Sequence, residues 1–205
     1  MRPALAILLV ATVLGGCNSQ PAEPTVREQE AELVNSTADL KQWDRVFGVP
    51  SDTVAALNQF GFRLADYGQA GEGAATRGEP IILSQSDRPA PNEGTVEVSG
   101  ATAARIDRID FTLALTDPDY ADTAKGRFAK VIGDFLFQFD LEPGDALAAV
   151  AGEADAETRI AGTPVRIDTT EGEDGVRRIT VTFTRPDAKA PDNQPDQGQA
   201  DGNRA

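Results

Sequence analysis

The sequence predicts an α+β fold: a four-stranded antiparallel sheet covered on one face by one long and one short helix, in the order β-β-α-α-β-β, preceded by a small helical hairpin. Three observations carry this. Ile109, Phe111, Leu113 and Leu115 alternate with Asp110, Thr112, Ala114 and Thr116. Ile179, Val181 and Phe183 alternate in the same way with Thr180, Thr182 and Thr184. A period of two makes a strand with one dry and one wet face, which suits an antiparallel sheet. Between these strands, DPDYADTAKGRFAKVIGDFLFQF (117–139) sets Ala121, Ala124, Phe128, Val131, Ile132, Phe135 and Phe139 at steps of three and four. That spacing is one apolar stripe on a helix, which is stable only when the stripe is buried, here on the dry face of the sheet.

The elements follow in order. Residues 17–32 are polar and carry Pro21 and Pro24, which predicts a solvated tether. Residues 33–67 form a small helical element. Ser36 and Asp39 are a weaker relative of the capping box, Leu40, Trp43 and Phe47 recur at helical spacing, and Gly48 and Pro50 stop the run. A second short helix begins at Ser51 or Asp52 and carries Val54, Leu57 and Phe60 up to Gly61, giving the hairpin. Trp43 is expected as packing between the two helices rather than as an exposed ligand platform. Residues 68–93 form a glycine- and proline-rich linker, with Gln69–Gly78 as a flexible boundary and one short edge strand in Pro80–Ser84.

The main domain spans 94–185. Val96 and Val98 mark its first strand, which Gly100 breaks, and a longer strand follows over 104–116. Ile106 is out of phase with Ile109, so a bulge is expected near Asp107 or Arg108. Asp117 caps the long helix, and Pro118 suits its first position. Lys125, Arg127, Lys130 and Asp134 fall mostly on the face away from the stripe. Pro143 opens a short helix with Leu147 and Val150, ended by Gly152. Residues 158–161 and 164–169 read as one strand bent at Gly162, and the latter part forms a hairpin with 176–184. Residues 186–205 contain nothing apolar larger than alanine and are expected as a disordered acidic tail.

The N-terminus, MRPALAILLVATVLGGC, has a positive charge, an apolar run from Ala4 to Leu14, then small residues and the only cysteine. The run is short for a bilayer span and fits the core of an export signal. Leu14-Gly15-Gly16-Cys17 resembles the lipobox of bacterial lipoproteins, and the resemblance covers this leader alone. It implies that residues 1–16 are removed and that Cys17 is lipidated, anchoring the chain to a membrane through acyl chains. Asn18, rather than aspartate, follows the cysteine; in that family this implies the periplasmic face of the outer membrane, with the inner membrane as the alternative.

The chemistry is limited by what is absent. There is no histidine, so no serine–histidine or cysteine–histidine pair exists, and a lipidated Cys17 is no nucleophile. No dinucleotide or triphosphate fingerprint occurs, and no cofactor is implied. Net charge is −14 with no basic tract, which repels nucleic acid. Asp117, Asp119 and Asp122 are carboxylates of a type that could hold calcium, but their spacing does not continue as an EF-hand, and acidic residues also suit a helix's first turn. Glu171, Glu173 and Asp174 fit a solvated hairpin turn equally well. Arg105, Arg108, Lys125, Arg127 and Lys130 either gather into a basic patch or stand singly on wet faces. No catalytic, cofactor-binding or metal residue is therefore assigned. Two classes stay open: a membrane-anchored, non-enzymatic interaction or envelope-support module with an envelope protein partner, and a binder of a small apolar ligand or lipid. A hydrolase built on paired carboxylates is a distant third. Oligomeric state is not legible.

Overall fold

The computed structural model describes residues 25, 39–84, 90–172 and 174–188. The leader, Cys17, all of the tether but Thr25, Ser36, Glu173 and nearly all of the acidic tail lie outside them. The chain divides into Met1–Asn35 and Ser36–Ala205, and every element below belongs to the second unit.

Among the described residues the sheet has eight strands, not four, and all their pairs are antiparallel. Two helices come first, α1 (Gln42–Gly48) and α2 (Pro50–Asn58). Strands β1 (Gly68–Ala70), β2 (Gly73–Arg77), β3 (Ile81–Ile82), β4 (Glu93–Gly100) and β5 (Arg108–Leu115) follow. A 3-10 turn, Pro118–Tyr120, leads into α3 (Ala121–Phe137), and a second, Gly144–Leu147, leads into α4 (Ala148–Gly152). Strands β6 (Ala156–Ile160), β7 (Thr163–Glu171) and β8 (Arg177–Thr184) complete the sheet in the spatial order β1-β2-β4-β5-β8-β7-β6, with β3 also on β4. The expected four strands are its middle, β4-β5-β8-β7.

The additional strands have identifiable causes. Gln69–Gly78, expected as a flexible boundary, forms β1 and β2, because Ala74–Arg77 pair with Glu97–Gly100 of β4. Strand state there comes from the neighbour, not from intrinsic preference. Residues 158–161 are not continuous with 164–169. Ala161 (φ 44°) and Gly162 (φ 87°) both have positive φ, the signature of a tight two-residue turn, so the chain reverses there and β6 pairs with β7. The expected bulge near Asp107 is instead a turn, with a bridge from Thr102 to Arg105, after which Ile106 donates its N–H to the Phe47 carbonyl at 2.8 Å.

Four α-helices among the described residues cover one face. The helical hairpin is not a separate element ahead of the sheet. Trp43, 6 % exposed, stacks on Phe47 (5.3 Å) and meets Phe183 of β8 (5.3 Å), and its Nε1 donates to the Ile160 carbonyl at 2.7 Å. Phe183 meets Phe111 of β5, which meets Phe135 of α3, which meets Phe139. This ring-to-ring chain, with Phe62 on Phe111, runs through one continuous core. Most of the expected stripe along α3 is buried, with Val131 half-buried and Leu136 buried beside it. Asp117 and Pro118 do not open α3 but the 3-10 turn before it, where Asp117 accepts from the Asp119 N–H at 3.1 Å. Lys125 departs from expectation: it is buried, because it stands four residues after Ala121 and three before Phe128, in the same row.

Candidate interaction surface

Among the described residues no helix packs on the sheet's second face. Burial alternates residue by residue along β4 and β5, so the outward positions form one broad polar surface. Register aligns them in rows. Thr95, Thr112, Thr180 and Asp168 lie across β4, β5, β8 and β7; Glu97, Asp110, Thr182 and Arg166 form the next row, extended by Arg77 of β2 and Glu157 of β6.

These side chains hold one another. Thr112 and Thr180 hydroxyls are 3.2 Å apart, and the Thr182 hydroxyl donates to Asp110 Oδ1 at 2.6 Å. Arg108 Nε donates to Asp110 Oδ2 at 2.6 Å, and Arg166 pairs with Asp168 at 2.7 Å. The two pairs share one sequence, Arg-Ile-Asp, at 108–110 and 166–168, and 105–107 repeats it. With isoleucine inward, arginine and aspartate necessarily share the outer face. This recurrent tripeptide is the signal by which the sequence could have revealed the surface; composition alone, strongly acidic, conceals a face where charges of both signs alternate.

At one corner the third copy of the tripeptide closes a loop. Asp107 accepts from the Ala101 N–H at 2.8 Å and from both Nε and Nη2 of Arg185. Burial pushes its carboxyl up, but the Ala101 amide and the Arg185 and Arg105 guanidiniums outweigh that, so it ionises below the usual carboxylate value. Beside it, Tyr67 donates to the Arg105 carbonyl at 3.0 Å. Burial, then the Asp107 charge, pushes the phenol up to about 12. A folded value above the unfolded one, near 10, means that stability tied to this group is complete below about pH 10 and is lost as pH rises through about 12. Melting temperature is therefore expected to fall across that window, and Tyr67→Phe to make the fall shallower. Equal slopes for the two proteins would refute the assignment.

The other residues singled out in the sequence are dispersed. Asp122 pairs with Lys125, which also reaches Glu153. Lys130 pairs with Asp134, and Arg127 donates to the Ser84 carbonyl at 3.4 Å. The five basic side chains thus form no common patch. In the β7–β8 turn, Arg178 and the Val176 N–H hold the Asp174 carboxyl down at about 2. Among the described residues no three carboxylates converge in a way that could hold a metal ion. Grooves of about 190 to 300 Å³ indent the surface, each open to solvent. Among the described residues no helix is long and apolar enough to cross a membrane. Comparison with protein-family models, with curated proteins and with solved structures found no match for this chain.

Proposed function

We propose that this protein is a lipid-anchored envelope module that binds another protein rather than transforming a substrate. In this reading Cys17 holds the chain on the periplasmic face of the outer membrane, the residues after it act as a tether, and the bare sheet face is presented to an envelope partner. The carrying observation is the pairing of a leader ending Leu14-Gly15-Gly16-Cys17 with a domain whose wide face is polar, charge-balanced and uncovered among the described residues. A binder of small apolar ligands needs interior space; here ring follows ring at 5.3–6.2 Å beneath the helices, and the grooves lie outside. The filled core weighs toward the interaction module.

Membrane fractionation of the wild type and of Cys17→Ser tests the anchor. The wild type is expected in the membrane fraction with an acylated residue at position 17, and the variant is expected to lack the acyl group. A free thiol at position 17 of the mature protein overturns the anchoring. Pull-down from solubilised envelopes tests the partner: the expected result is a protein captured by the wild type and lost when Arg166→Glu reverses a charge on the face. Recovery of a bound lipid and no protein favours the ligand-binding reading.

A further inference from the structure

Strand β6 ends the sheet on its side, and among the described residues no strand pairs with its outer edge. The two-residue turn at Ala161 and Gly162 makes Ile160 and Thr163 a hydrogen-bonded pair. Antiparallel pairs alternate, so Thr158 and Ala156 also bond to β7, opposite Val165 and Ile167. Glu157 and Arg159, opposite Arg166 and Pro164, occupy the other kind of position. Their backbone N–H and C=O groups point away from β7, toward the open edge. Their side chains are exposed on the polar face of the sheet.

We propose that β6 is a self-association edge, on which a second copy of this chain pairs its own β6 antiparallel about a twofold axis at Thr158. In that register Glu157 of each copy faces Arg159 of the other. These are the residues whose backbone groups are directed outward, so each Glu157–Arg159 pair exchanges two backbone hydrogen bonds, and the side chains form an ion pair on the same face. Thr158 meets Thr158 across the axis at the close, non-hydrogen-bonded spacing. Ala156 meets Ile160, small against large. On the helical side, the groove of about 300 Å³ between β6 and the segment carrying Ala146 and Ala149 leaves room for the partner's side chains. Sliding the strands by two residues sets Glu157 against Glu157 or Arg159 against Arg159, so the charges within β6 (Ala156–Ile160) favour this register. Proteins guard exposed edges with charges that repel a second copy. The two charges on β6 attract one instead. The result is an isologous contact that extends one sheet through two molecules. It does not depend on the lipid anchor.

The test uses the full chain in density-matched detergent, with mass measured by sedimentation equilibrium. Wild type is expected to dimerise. Arg159→Glu sets glutamate against glutamate, and Glu157→Arg sets arginine against arginine; each is expected to weaken dimerisation roughly tenfold or more. Both positions are exposed, and circular dichroism checks that the variants fold as the wild type does. The decisive step is mixing: one copy with two arginines and one with two glutamates are complementary, so the mixture is expected to regain dimers, as is the double swap Glu157→Arg/Arg159→Glu. A monomeric wild type, single variants that dimerise like wild type, or a mixture that stays monomeric overturns the proposal.

Discussion

Phe135→Asp is expected to abolish the folded state. Phe135 is 0 % exposed and touches Phe111 on the sheet (5.6 Å) and Phe139 beyond the helix end (5.4 Å), so it is the link through which α3 holds the central strands. Truncation to alanine loses a ring's burial and leaves a cavity, about 3–5 kcal/mol. Aspartate adds the cost of an ion without a partner in an apolar interior, several kcal/mol more. Together these match or exceed the stability of an ordinary domain, about 5–15 kcal/mol. Circular dichroism melts check this; a cooperative transition at the wild-type temperature would show that α3 does not organise the core. Phe137→Asp on the same helix is the control. Its side chain is 77 % exposed, and the change is expected to cost about 1 kcal/mol, from a carboxylate at the helix C-terminus.

Glu153→Ala is expected to be the second most damaging change, at about 1–3 kcal/mol, the range for losing hydrogen bonds to charged groups. Lys125 is 8 % exposed, and its Nζ donates to Glu153 Oε1 (3.0 Å) and to the Ala151 carbonyl (3.1 Å). The other Glu153 oxygen accepts from Arg177 of β8, so one carboxylate ties α3, α4 and the sheet together. Removing it leaves the Lys125 ammonium with the Ala151 carbonyl and a single carboxylate, that of fully exposed Asp122. Lys125→Met is expected to cost less than about 1 kcal/mol, because the methionine fills the space and Glu153 keeps Arg177. Urea melts of the two variants measure the asymmetry; a larger loss for Lys125→Met would show that the ammonium, not the carboxylate, holds the junction.

The strands of the central sheet and the long helix were readable because their apolar residues are large and strictly periodic. Ile109 to Leu115, Ile179 to Phe183 and Phe128 to Phe139 each state their own geometry. The outer strands say little locally. β1 and β2 contain only glycine, alanine, glutamine, threonine and arginine, and small residues there serve proximity rather than burial: a Cβ on Gly73 would stand 2.7 Å from the Gly100 carbonyl oxygen. Such a strand exists because β4 offers it a ladder, which no local window contains. Ala161 misled for a related reason. Alanine is a poor signal for a left-handed turn position, and the reversal rests on Gly162 and the pairing it permits. The polar face followed from alternation, and both the Arg-Ile-Asp repeat and the place of Lys125 between Ala121 and Phe128 are written in the sequence. Only the partners these charges take across the fold, such as Glu153 and Arg185, required the third dimension.

The strand order has a consequence for how the chain comes into being. The last strand to be made, ending at Thr184, sits between β5 and β7 and joins the two halves of the sheet. A ribosome delivers the N-terminal half first, so that half waits with one flank unpaired and Phe111 without Phe183. Non-local closure of this kind is slow, and here it cannot finish before residue 184 has emerged.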